Sequence, residues 1–229
     1  MVEETQKFTR KEYNQIKFFV AFGIFIIAFQ FLQYITAKQA AAKYKNLFYK
    51  TAEIQRCINK IHAESATIQR FNLNLALADE KPERKKIRSN ITISERKIDS
   101  LISISENKVI NFSLTNNKPI VAFYKQKIHW INYKKISHAF SKLICSKNKP
   151  QITFYRTTIL RKSFNGLQKE LDLLFMEVFE NQNSLAQEIS HHTETSSFYL
   201  LFVGNAVLFI LIVFLIYIIF SERKNLRER

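Results

Sequence analysis

Five histidines could do acid–base or metal chemistry: His62, His129, His138, His191 and His192. Adjacent His191 and His192 would point about 100° apart on a helix, a poor arrangement for holding one ion. No H-E-x-x-H run, phosphate-cradling glycine loop or nucleophile elbow occurs. No catalytic residues, metal site or cofactor are therefore expected, and each histidine reads as a solvated surface residue. Cys57 and Cys145 lie far apart and form no C-x-x-C pair. A disulfide between them would need an oxidising compartment, and a lone helical Cys is more often a small buried hydrophobe. Asn205 differs from these in its surroundings. It sits beside Gly204 and Ala206 inside a long apolar run, where a buried amide seeks a partner and small neighbours permit close helix approach. Gly23, with Ala21 and Ala28, offers a small face on a second apolar run. Asn205, Gly204 and Gly23 are thus expected at a helix–helix contact, within one protomer or across a dimer.

The elements carrying these residues are two apolar stretches, FFVAFGIFIIAFQFLQYI from Phe18 and FYLLFVGNAVLFILIVFLIYIIF from Phe198. Crossing the hydrocarbon core of a membrane takes about twenty apolar residues in a helix. Residues 18–37 and 198–220 are accordingly predicted to span a lipid bilayer. The first has a rival reading as a secretory signal peptide, because Ala37 and Ala40 to Ala42 fit a cleavage site, but its apolar run exceeds the usual signal length of about 7–15 residues. The segment ENQNSLAQEISHHTETSS before the second span has no Lys or Arg, whereas Arg223, Lys224, Arg227 and Arg229 follow it. Cytoplasmic flanks carry the excess of Lys and Arg. The expected layout is two-pass in an inner (cytoplasmic) membrane: tails 1–17 and 221–229 cytoplasmic, and a domain of residues 38–197 on the periplasmic side.

Composition agrees with helices. Only three Gly and three Pro occur, against 47% hydrophobic residues, which argues against a turn-rich β fold. The net charge of +16 would ordinarily raise nucleic acid or an anionic membrane as a partner. Here the excess is spread among many Lys, Asn, Ile and Phe, and no nucleic-acid partner is expected.

Within the domain, Tyr44, Leu47, Thr51, Ile54, Ile58, Ile61, Ser65, Ile68, Asn72 and Leu75 alternate by three and four, the spacing of a helix packed along a bundle. That helix should end near Ala78 to Pro82, since Pro forces its predecessor out of the α region. A second helix is predicted from Pro82 to Phe112 with Ile87, Ile91, Ile98, Leu101, Ile102 and Val109 inward. Thr115 to Pro119 reads as a turn. A third helix would carry Val121, Tyr124, Ile128, Ile131, Ile136, Phe140 and Leu143, stopping by Ser146 to Pro150. The segment QITFYRTTIL is β-branched and aromatic, so a strand is a local alternative, but a strand without a partner is unfavourable and the start of helix four is preferred. From Leu160 the heptad returns through Phe164, Leu167, Leu171, Leu174, Val178, Asn181 and Leu185. The predicted fold class is all-α, an up-down four-helix bundle between two transmembrane helices. Two long anchored helices around a disordered basic middle are the alternative.

These residues carry a family resemblance. Ile58 to Ile61 and Ser65 to Arg70, with the Ile91–Leu101 helix, resemble helices one and two of the four-helix-bundle sensory domains of methyl-accepting chemotaxis receptors and related bacterial sensors. Phe112 to Thr115, and Leu167 to Leu174 in helix four, are similar to patterns in stand-alone members. The resemblance covers nearly the whole chain and rests on topology, helix lengths and scattered identities. It implies ligand binding between bundle helices or at a dimer interface, often through Arg and aromatic side chains. The Arg fork suits a carboxylate, and Arg70, Arg156 and Arg161 with Tyr124 and Trp130 are candidates by residue type. A homodimer is expected, with a membrane receptor or kinase as signalling partner. Chemotaxis receptors continue past the second span into a relay and an output domain, whereas only Ser221 to Arg229 follow here. A separate output protein is therefore expected to read the signal. The alternative function is a non-enzymatic structural subunit of a larger membrane complex, docking through the basic, aromatic-rich region Lys118 to Lys162.

Overall fold

A computed structural model describes residues 10–113, 116–146 and 148–227, with side chains described for 17–113, 116–145 and 148–217. Among the described residues there is no strand. The order is α1 (Arg10–Leu77), α2 (Lys81–Phe112), α3 (Lys118–Leu143), a 3₁₀ turn (Ile144–Ser146), α4 (Lys149–Phe154), a π-helical segment (Tyr155–Leu160) and α5 (Arg161–Arg227). QITFYRTTIL is thus helical, with its second half wound as π-helix rather than strand. The basic middle of the chain is helical as well. Pro82, Pro119 and Pro150 each fall in the first turn of a helix, where the missing N–H costs nothing. The expected turn at residues 115–119 is therefore shorter: Thr115 lies outside the described residues, and Lys118 and Pro119 already belong to α3. Asn148 caps α4, its Oδ1 accepting from the Gln151 N–H at 3.2 Å.

The chain divides into two compact units: the described parts of Met1–Tyr44 with Gln187–Arg229, and Lys45–Ala186. In the first, the apolar parts of α1 and α5 touch through Phe18 and Phe214, ring centroids 5.0 Å apart. Among the described residues two helices are long and apolar enough to cross a membrane, and neither apolar window is buried inside the fold.

The second unit holds the core. From α1 it takes Leu47, Thr51, Ile54, Ile58, Ile61, Ser65, Ile68, Asn72 and Leu75, all buried at the heptad positions. Ile87, Ile91, Ile98, Ile102 and Val109 come from α2, and Leu167, Leu171, Leu174, Val178 and Asn181 from α5. Each fully buried aliphatic side chain contributes about 1.5–3 kcal/mol relative to exposure. Of the polar breaks in the α1 stripe, Thr51 donates to Leu47 O of its own helix, and Asn72 and Ser65 are satisfied across the core. Asn72 and Ser137 exchange two hydrogen bonds (2.9 and 3.2 Å), and Ser65 Oγ accepts from Gln168 Nε2 at 2.7 Å.

The inward face of α3 is only in part the expected one: of the residues placed inward, Phe140 is buried and Ile136 and Leu143 are half-buried, while the other four are exposed. Its buried residues are Pro119, Ala122, Phe123, Gln126, Trp130, Tyr133, Ser137 and Phe140. Val121, Tyr124, Ile128 and Ile131 lie on the opposite side, 42–57% exposed. The helix carries two apolar stripes, and the one richer in aromatic volume takes the core while Val121, Ile128 and Ile131, with Tyr124, face out.

Candidate functional site

A concavity lies between α1 and α2, a shallow groove of ≈ 730 Å³ lined by Lys60, Ala63, Glu64, Ile93, Arg96, Lys97, Ser100 and Leu101. Its position follows from how the two helices pair. Lys97 Nζ meets Glu64 Oε1 at 3.0 Å, and nearer the other end Lys108 Nζ meets Glu53 Oε2 at 2.9 Å. That second hydrogen bond holds the Glu53 carboxyl below its ordinary range and lifts Lys108 above its own. Lys97 is thus committed to Glu64. Lys60 and Arg96 have no hydrogen-bond or ion-pair partner among the described residues. The groove therefore offers two unpaired cations around an apolar strip of Ala63, Ile93 and Leu101, an arrangement suited to a small anion with an apolar body.

A smaller pocket of ≈ 210 Å³ lies between α2 and α3, lined by Arg88, Ile91, Thr92, Ser137, His138, Ser141 and Lys142. Its polar groups are largely used by the fold. Arg88 Nη2 donates to Ser141 O and to Cys145 Sγ, both at 2.9 Å. His138 Nε2 lies 2.9–3.0 Å from both carboxylate oxygens of the buried Glu95. Next to this layer Tyr133 Oη donates to Gln69 Oε1 at 3.0 Å, and burial pushes its phenol above the ordinary range.

The candidate ligand residues are not brought together. Arg70 is exposed on α1, its guanidinium 6.0 Å from the Phe71 ring centroid. Tyr124 is exposed on the outer face of α3, under Lys127. Trp130 is 2% exposed and donates from Nε1 to Asp99 Oδ1 at 2.8 Å, which makes it a core aromatic with a satisfied polar tip. Arg156 is half-buried in the π-helical segment and Arg161 exposed at the start of α5. No hydrogen bond or ring contact joins any two of the five. Cys57 is a buried free thiol and Cys145 an exposed one. No three His, Cys, Asp or Glu are grouped as a metal ion would need among the described residues. The groove cations Lys60 and Arg96 escaped sequence reading because only the α1–α2 register places them on one groove, and neither sits in a motif.

The outer face of α3 is a second surface of note. Val121, Tyr124, Ile128 and Ile131 recur at spacings of three and four, and the helix carries six lysines and no acid. Lys127 and Lys134 are paired with Glu106 and Asp99 of α2. Lys125 and Lys135 have no such partner among the described residues.

Of the apolar-run residues, Gly204 packs against α1. A Cβ added there would come 2.7 Å from Phe29 Cζ. Gly23 faces open space, with nothing within 4 Å of an added Cβ, and Asn205 is exposed. Gly204→Leu is expected to weaken the α1–α5 contact by about 1–3 kcal/mol through overpacking. Phe29→Ala in the same chain should recover most of the loss, as read by thermal unfolding of the detergent-solubilised protein. A double variant no more stable than Gly204→Leu alone would show that this contact is not what the glycine serves.

No protein-family pattern matches the chain, and no curated protein matches it.

Proposed function

We propose that the chain is a membrane-anchored, sensor-like protein. In this reading residues 38–197 form an up-down four-helix bundle that binds a small anionic, partly apolar ligand outside the cytoplasm, and a separate output protein reads the response. Residues 18–37 and 198–220 are the membrane spans, with both tails cytoplasmic on the Lys/Arg asymmetry around the second. The up-down arrangement draws support from the pairings. Residue numbers fall along α2 as they rise along α1 (Glu53 with Lys108, Glu64 with Lys97), and they fall along the return segment as they rise along α3 (Tyr133 with Phe164, Phe140 with Tyr155). The observation that carries the ligand reading is the α1–α2 groove with Lys60 and Arg96 unpaired over an apolar strip. A ligand bridging α1 and α2 would bias their relative position, and shifts of about 1–2 Å are within the repertoire of helical switches.

The test is hydrogen exchange on the full chain in lipid nanodiscs, with and without a panel of carboxylate- or phosphate-bearing amphiphiles and their neutral or cationic analogues. Protection of residues 60–64 and 93–101 by anionic members alone, weakened about tenfold in Lys60→Ala/Arg96→Ala, is the expected result. Protection that ignores ligand charge, or is absent from both segments with every compound, would end the reading.

A second reading, a non-enzymatic structural subunit of a larger membrane complex, has the outer face of α3 in its favour, since an apolar stripe at helical spacing is a docking surface in waiting. Photocrosslinking from residue 128 separates the two in cells. Capture of the same large complex there and along the whole domain, with no signalling protein at the cytoplasmic tail, would favour the subunit.

A further inference from the structure

The apolar part of α5 carries two heptad-spaced stripes. Leu200, Gly204, Val207, Leu211 and Leu215 are half-buried, and Gly204 lies against Phe29 of α1. The other stripe, Phe198, Phe202, Asn205, Phe209, Ile212 and Ile216, steps by four and three and is exposed throughout. Lipid tails can cover five of these six residues without cost. They cannot cover Asn205, whose amide has no hydrogen bond among the described residues and is turned away from the helix that could have supplied one. An unpaired amide in hydrocarbon costs free energy, and the bilayer offers it no water.

What covers this face must therefore supply a donor and an acceptor at one position within an otherwise apolar surface. The same stripe of a second copy does so. An amide is its own complement, and a two-fold contact brings a residue near the axis against itself. A lone Asn in a heptad seam is also a known device for fixing register and oligomeric state. Gly204, the residue that could have allowed a closer helix crossing, is already occupied by Phe29. We propose that α5 pairs in parallel with α5 of a second copy through Phe202, Asn205 and Phe209, the two Asn205 amides hydrogen-bonding to each other across the axis. This rests on the reading that residues 198–220 cross the bilayer, and it narrows the expected helix contact of Asn205 to one between protomers.

The experiment is disulfide scanning of the full chain in native membranes, in a Cys57→Ala/Cys145→Ser background, with accessibility labelling of single cysteines at 197 and 221. Phe202→Cys and Phe209→Cys are expected to cross-link into dimers, and Leu200→Cys and Val207→Cys are not. By single-molecule photobleaching in liposomes, Asn205→Leu should weaken the dimer about tenfold, while Asn205→Gln largely retains it. Cross-links confined to 200 and 207, or a dimer indifferent to Asn205→Leu, would overturn the proposal with the membrane reading intact. Positions 197 and 221 labelling from the same side would remove the span, and the proposal with it.

Discussion

Trp130→Ala is expected to lower the stability of the helical domain by about 3–5 kcal/mol, the largest loss of any single truncation in the protein. The indole is fully enclosed, stacks obliquely on Tyr133 with centroids 6.2 Å apart, and anchors Asp99 through its N–H. Truncation leaves a cavity and removes a hydrogen bond at once. Trp130→Phe should cost markedly less, because most of the volume remains and Asp99 keeps Lys134. Denaturant unfolding followed by helical circular dichroism, on the full chain in detergent, reads both. An unfolding midpoint unmoved by Trp130→Ala would return the residue to the ligand-binding role that its type first suggested.

The second large effect has the opposite sign. Gln126→Leu should stabilise the same domain by about 1–3 kcal/mol. Gln126 is completely buried at an inward position of α3, and neither its Nε2 nor its Oε1 has a hydrogen-bond partner. Leaving two polar atoms desolvated and unpaired is the costly case, whereas an apolar residue of similar size removes the penalty outright. The same denaturation series should show a raised midpoint with an unchanged slope. A lowered midpoint would mean that the amide finds a partner inside the core of the working protein, and that its polarity is kept for function.

Gln126 also explains where sequence reading failed. On α1, α2 and α5 the heptad-spaced row lands on the buried set, with Tyr44, Leu101, Phe164 and Leu185 only half-buried, and Thr51, Ser65, Asn72 and Asn181 follow their stripes inward despite being polar. On α3 apolar residues occupy two opposite faces. Counting favoured Val121, Tyr124, Ile128 and Ile131 because the true inward row is interrupted by Gln126 and Ser137. Volume decided otherwise: Phe123, Trp130 and Tyr133 join the expected Phe140 in the core, and Ser137 is matched by Asn72 across it. The groove was not legible for a different reason. Lys60 and Arg96 are ordinary residues in their own helices and come to line one groove only through the register that Glu64 and Lys97 set. Residue type pointed instead to Trp130, whose polar tip is spent on Asp99.

The π-helical turns at Tyr155–Leu160 have a consequence for how this gene can vary. A π-helical stretch holds more residues per turn than an α-helix and is the usual trace of one extra residue accommodated inside a helix. The inward row that runs on along α5 begins at Leu160, the last residue of that stretch. A codon gained or lost upstream of it can be absorbed by winding the segment tighter or looser, leaving every inward residue from Leu160 onward where it is. The same codon change further along α5 has no such slack and would rotate the whole heptad row, and the apolar run beyond it, by about 100°. Length polymorphism should therefore collect at residues 155–160 and be purged from the rest of the helix.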